Sequence, residues 1–257
     1  MPLLDVSHIT LTFGGLTAIR DLSFHVNEGE ILSVIGPNGA GKTSLFNCVS
    51  GFYHPSGGEI TFDGVAMLKL PPHKRTALGL GRTFQNLRLF PNLTAEENVM
   101  AGAHCRTHAS YFACMFHTPG QVREEKETRE KANYWLEFVG LPGVGRRQAK
   151  NLPYGAQRRL EIARAMASQP KLILLDEPAA GLNPAEKESL MDLIRKIRET
   201  GVTPLLIEHD MGLVMRISSR LVVLDHGEKL TEGTPDEVRN NPLVIEAYLG
   251  REEEEGA

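Results

Sequence analysis

The sequence predicts an α/β fold. It consists of a mostly parallel core sheet carrying a nucleotide-triphosphate loop (a P-loop), an antiparallel β subdomain beside it, and an inserted α-helical subdomain. Three observations predict it. Leu32–Ser44 runs from a β-branched apolar stretch through a glycine-rich turn into a helical pattern. Leu172-Ile173-Leu174-Leu175-Asp176-Glu177 and Leu205-Leu206-Ile207-Glu208 are continuous apolar runs ending in acids, as strands covered on both faces of a parallel sheet do. Between residues 88 and 165 the apolar spacing is helical. The expected organisation is a single domain over 1–257, with residues 1–87 and 166–257 forming the α/β core and 88–165 the helical insertion.

Composition narrows the class. With 257 residues, 41% hydrophobic and 23% charged, the chain has material for one large core or two modest lobes. A net charge of −4 gives no electrostatic footprint for nucleic acid, so no nucleic-acid partner is expected. Cys48, Cys105 and Cys114 lack metal-like spacing and read as reduced thiols. No signal-peptide pattern opens the chain, and no apolar run approaches the ~20 residues that span a bilayer. The expectation is a cytoplasmic polypeptide that reaches a membrane only through partners.

Leu3–Thr12 alternates loosely and Leu22–Val26 strictly, predicting an antiparallel pair with Phe13-Gly14-Gly15 at its tip. Phe13 is either a stacking face for an adenine ring or a sheet-edge aromatic. In the next stretch Gly36, Gly39 and Gly41 let the backbone turn several N–H groups towards one anion. The following helix adds its positive end, Lys42 reaches β- and γ-phosphates, and Thr43 offers a ligand for Mg²⁺. That helix stops at Gly51, and Glu59–Phe62 with Asp63-Gly64 predicts a further hairpin.

Arg82-Thr83-Phe84 reads as a short strand with Gln85 at its end, where the amide either meets a metal ion or attacking water or caps the strand. Thr94-Ala95-Glu96-Glu97 has capping-box spacing. Gly102–Gly120 holds Tyr111, Phe112, Met115 and Phe116 at helical spacing among His104, His108 and His117. No carboxylate or cysteine completes a metal set there, so an amphipathic segment is favoured over a metal site. Arg123–Lys131 is a mixed-charge helix face leading into Tyr134–Val139.

Asp176 and Glu177 sit side by side at the end of a buried strand and so point in different directions. Asp176 is placed to hold Mg²⁺ through water and Glu177 to polarise the water that attacks a γ-phosphate. Asn183-Pro184-Ala185-Glu186 supplies an N-cap, a first-turn proline and an acid at N3 for a crossover helix. The next strand, entered near Pro204, ends at His209, whose imidazole is able to hydrogen-bond the γ-phosphate. Leu221–Leu224 with Asp225-His226-Gly227 adds a final hairpin, and Glu252–Glu255 reads as a solvated acidic tail.

In this order and spacing, the loop Gly36–Ser44, Gln85, Asp176-Glu177 and His209 resemble the ATP-binding subunits of ABC transporters over essentially the whole chain. Phe13-Gly14-Gly15-Leu16, Arg82–Gln85, Leu87–Phe90, Asn151–Gly155, Arg158–Arg164 and Glu208–Met211 narrow the likeness to the branched-chain amino-acid (LivG-type) import ATPases. The resemblance implies ATP hydrolysis coupled to transport at the cytoplasmic face of the plasma membrane. It implies two ATPase subunits meeting head to tail beneath two permeases, fed by an extracytoplasmic binding protein. A soluble ATPase of the same superfamily acting on nucleic acid or the ribosome is the alternative.

The resemblance assigns ATP binding to Phe13, Ala18, Gly36, Pro37, Asn38, Gly39, Ala40, Gly41, Lys42, Thr43, Ser44 and Gln85. It assigns Mg²⁺ to Thr43, Gln85 and Asp176, and catalysis to Glu177, His209 and Lys42. The segment Leu152, Pro153, Tyr154, Gly155, Ala156, Gln157 occupies the place of the signature that meets the partner's ATP. The family's usual Leu-Ser-Gly-Gly-Gln is altered there: proline replaces the serine and offers neither hydroxyl nor N–H. A helix over Arg158–Ala167 is expected to keep some dipole attraction, so this signature makes a weaker lid. Asn183 stands where the family usually has Asp. Both departures suggest that the second ATPase subunit is a different chain.

Overall fold

The computed structural model describes residues 1–106 and 118–252, with side chains as far as residue 248. Two compact units make up the chain, Met1–Arg75 with Leu174–Ala257, and Thr76–Ile173. The strands are β1 Leu4–Phe13, β2 Leu16–Val26, β3 Leu32–Ile35, β4 Gly57–Phe62, β5 Val65–Ala66, β6 Leu80–Arg82, β7 Leu172–Asp176, β8 Thr203–Ile207, β9 Arg220–Asp225 and β10 Glu228–Gly233. The helices are α1 Lys42–Ser50, α2 Pro72–Leu78, α3 Ala95–Gly102, α4 Pro119–Phe138, α5 Tyr154–Ala167, α6 Pro184–Glu199, α7 Met211–Ile217, α8 Pro235–Arg239 and α9 Pro242–Glu252.

In the first unit an antiparallel sheet has the order β2-β1-β4-β5, and the core sheet runs β10-β9-β3-β8-β7. Leu32 pairs with Leu205 and Arg220 in parallel register, so β3 lies between β8 and β9 and all three end on the same edge. Every residue of β3 and β8 is buried, which is what a central strand covered on both faces demands. Two tight turns, Asp63-Gly64 and His226-Gly227, have positive φ at both central residues (49° and 74°, 47° and 82°), the twist that two-residue hairpins need.

In the second unit α3, α4 and α5 pack on one another. Thr94 closes the expected capping box with Glu97. The Asn98 amide is fully buried and organises the turn before α3: its Oδ1 accepts from the Phe90 N–H at 2.8 Å, and its Nδ2 donates to Phe90 O and Thr94 O. Trp135 meets Tyr134 and Phe138 edge to face at 5.0 and 5.2 Å.

Several boundaries differ from expectation. β2 begins at Leu16, well before Leu22, because Asp21 takes a φ of 48° and a bulge there breaks the alternation. The short strand is Leu80–Arg82 rather than Arg82–Phe84. A Cβ on Gly81 would sit 3.1 Å from Pro170, so glycine there permits the close approach of the strand. Gln85 lies three residues past the strand. The signature helix starts at Tyr154, four residues before Arg158, because the Gln157 N–H already bonds Pro153 O at 2.9 Å.

Among the described residues no helix is long and apolar enough to cross a membrane, and no three His, Cys, Asp or Glu side chains converge as a metal site. His104 lies in a 3-10 turn, Ala103–Arg106. Tyr111, Phe112, Met115, Phe116, His108, His117 and Cys114 lie outside the described residues, as do residues 253–255 of the expected acidic tail.

Candidate functional site

The loop between β3 and α1 is built by close backbone approach. Gly36 has a φ of 150°, and a Cβ there would stand 2.1 Å from Leu224 O. Gly41, the N-cap of α1 at φ 97°, lies against Ala18 O, 2.7 Å from where a Cβ would be. Only glycine fits either place. The loop is tied back to the sheets by Gly227 N–H to Ala40 O at 3.2 Å and Arg20 N–H to Gly227 O at 2.8 Å. Pro37 and Ala40 are buried beneath it, while Asn38, Gly39 and Thr43 are exposed and Ser44 partly so. Lys42, only 7% exposed, donates through its ammonium to Gly36 O at 2.7 Å and Pro37 O at 2.8 Å, two carbonyls of the loop itself.

Two neighbouring strands bring acids and an imidazole to the same sheet edge. Asp176 closes β7 and is 2% exposed. Glu177 follows with a φ of 46°, a left-handed conformation that costs a non-glycine residue about 1 kcal/mol or more. Its N–H donates to Ile207 O at 2.9 Å. His209 Nδ1 lies 3.7 Å from Glu177 Oε2, so these two residues meet at this sheet edge.

Sequence reasoning missed what surrounds them. Glu208, fully buried, accepts from the Ala179 N–H at 2.8 Å and the His209 N–H at 3.3 Å. Burial pushes its carboxyl above the usual carboxylate range, against those hydrogen bonds. Asp210 caps α7 through the Leu213 N–H and takes Lys187 Nζ of α6 at 2.6 Å, a bond that holds its carboxyl low and the Lys187 ammonium high.

Phe13 is 46% exposed and meets Tyr53 edge to face at 5.1 Å. The pair forms a half-open aromatic surface; Tyr53, just past the stop of α1, carried no signal in the sequence.

In the second unit the signature residues open α5. Pro153 is the N-cap and gives no side-chain cap, Tyr154 is 44% exposed, and Gln157 Nε2 donates to Leu152 O at 2.8 Å. Arg158 donates to the carbonyls of Phe84 and Gln85 and, through Nε, to Tyr154 Oη. The Arg88 N–H donates to buried Glu161 at 3.3 Å, and Arg82 and Arg88 both stack on the Phe84 ring. The Gln85 loop and the signature are thus bound to each other.

The family described as ABC transporter matches residues 19–180, and one described as branched-chain amino acid ATP-binding cassette transporter matches residues 228–254. The chain belongs to the ATP-binding subunits of ABC transporters. It is 51% identical over 250 residues to the high-affinity branched-chain amino acid transport ATP-binding protein BraF of Pseudomonas aeruginosa, covering 97% of this chain and 98% of that one. It is 48% identical over the same shares to LivG of Escherichia coli. A crystal structure of an ATP-binding cassette of an ABC transporter in its ADP conformation superposes with a TM-score of 0.85 at 31% identity, covering 97% of this chain and 99% of that one. A nucleotide-free cassette gives 0.84 at 30%, covering 96% and 99%. This ABC ATPase therefore has the expected fold class.

Proposed function

We propose that this chain is the ATP-hydrolysing subunit of an importer for branched-chain amino acids, docked on two permeases at the cytoplasmic face of the plasma membrane. An extracytoplasmic binding protein would deliver the cargo. The likeness to BraF and LivG over nearly the whole chain supports the cargo class. The catalytic part rests on one observation, the meeting of Glu177 and His209 beside the strand that feeds the glycine loop.

In this reading the loop amides and Lys42 hold the β- and γ-phosphates, and Phe13 offers a face to adenine, with Ala18 behind the loop. Thr43 and Asp176 are hard oxygen donors of the kind Mg²⁺ takes, and the ion, when bound, neutralises phosphate charge. Gln85 keeps its assignment to that ion from the family pattern. Glu177 accepts a proton from the attacking water, and His209 donates a hydrogen bond to a γ-phosphate oxygen.

Glu177→Gln tests this directly. It should still bind MgATP but turn over at least ~10²-fold slower, the scale of lost general-base help. Near-normal turnover in single-turnover assays removes Glu177 from its role.

A further inference from the structure

Glu208 is a fully buried acid at the heart of the site to which no catalytic step has been given. Its two oxygens are used separately. Oε1 takes the N–H of Ala179, two residues beyond Glu177, and Oε2 takes the N–H of His209. The adjoining Ile207 carbonyl takes the N–H of Glu177 itself. Glu177 therefore stands on a segment fastened at two points, its own amide and that of Ala179, to consecutive residues at the end of β8.

This fastening matters because Glu177 sits at a φ of 46°, where an unsupported glutamate would relax towards ordinary backbone angles. A charged acceptor makes a stronger hydrogen bond to an amide than a neutral one does, and burial removes competing water. Across from the carboxylate stand Glu177 and His209, and Lys187 with Asp210 flank it from α6 and the start of α7.

From this geometry we infer that Glu208 is a positioning residue: its carboxylate clamps the Glu177–Ala179 turn to the His209 backbone and fixes the water-activating acid relative to the γ-phosphate imidazole. The inference rests on the roles proposed for Glu177 and His209. Glu208 acts through the backbone it holds, by way of the Ala179 and His209 amides.

The test uses the transporter complex purified through a tag on this chain. Glu208→Gln keeps one carbonyl acceptor but turns an NH₂ towards a second N–H, so one clamp point is lost. It should lower kcat roughly 10- to 100-fold, the effect of misplacing a reacting group by a fraction of an ångström to an ångström. KM for MgATP should stay within about threefold, because the glycine loop does not lean on Glu208. In a Glu177→Gln background the same change should alter the residual rate less than about twofold, since the group being positioned is already gone.

Wild-type kcat in Glu208→Gln overturns the clamp, and so does an equal fold-loss in both backgrounds. A parallel rise in KM does the same. Should Glu208→Gln fail to fold, Glu208→Asp carries the same measurement, keeping the charge one methylene short. If Glu177→Gln alone turned over normally, the fault would lie with the assignment of Glu177 and would show before Glu208 was touched.

Discussion

At the scale of single residues, the glycine loop separates positions that need the absence of a Cβ from those that need only a positive φ. Gly36→Ala drives a methyl into the Leu224 carbonyl, backbone that cannot step aside, whereas Gly39 at φ 80° has nothing within 4 Å. We expect Gly36→Ala to destabilise by about 3 kcal/mol or more and Gly39→Ala by about 1 kcal/mol, read from urea midpoints. Equal costs would mean that the tight contact relaxes freely. Cys48 gives a second residue-scale prediction. Burial raises its thiol to about 11, with the Arg75 charge opposing, so below that pH it stays protonated as well as covered. At pH 8 iodoacetamide should modify part-exposed Cys105 and spare Cys48 until the chain is unfolded, as peptide mass spectrometry would show. Gly36, Lys42, Asp176, Glu177 and His209 stand out as candidates in the sequence because phosphate chemistry needs those residue types next to strand ends. Glu208 does not: in sequence it merely ends an apolar run, and only the fold shows which amides reach it.

Among the elements, α1 is held at both ends. Gly41 opens it at φ 97° without a side-chain cap, and Gly51 closes it at φ 86°. Behind Gly51 the buried Arg75 guanidinium donates to the carbonyls of Cys48, Val49 and Leu70. Arg75→Ala leaves three carbonyls without that donor and should cost about 3 kcal/mol of unfolding free energy, with Arg75→Lys recovering only part of it. A change below 1 kcal/mol would show that water replaces the guanidinium. Nothing in the run His73-Lys74-Arg75 distinguishes a core arginine from a solvated one, so its burial was invisible. Caps were the reverse case. Asn183 accepts from the Glu186 N–H at 3.0 Å and Glu186 returns the bond at 2.9 Å, as the spacing required. Asn183→Ala should therefore cost about 1 kcal/mol. The start of α5 was misplaced because Pro153 and Gly155 look like loop residues, although proline needs no N–H at a helix entrance.

For the molecule as a whole, the altered signature bears on assembly. Pro153 contributes no hydroxyl at the N-terminus of α5, and the Tyr154 hydroxyl is engaged by Arg158. If the chain works beside a different ATPase subunit with an ordinary signature, the site pairing this glycine loop with that signature carries most of the turnover. Glu177→Gln should then silence the mixed complex far more than the equivalent change in the other subunit does. Equal losses would count for two equivalent sites. The sequence foresaw the fold class, because strand burial and helix periodicity are written in apolar spacing. It did not foresee the last part of the chain, where only an acidic tail was expected: α8 and α9 follow β10, Val238 and Val244 are buried, and burial pushes the Tyr248 phenol up to about 12.

Arg158 grips the main chain of Phe84 and Gln85 while Glu161 takes the amide of Arg88. The helix that begins at Tyr154 and the turn around Gln85 are consequently one mechanical piece. A displacement of that turn would therefore load the start of the helix through the Arg158 guanidinium.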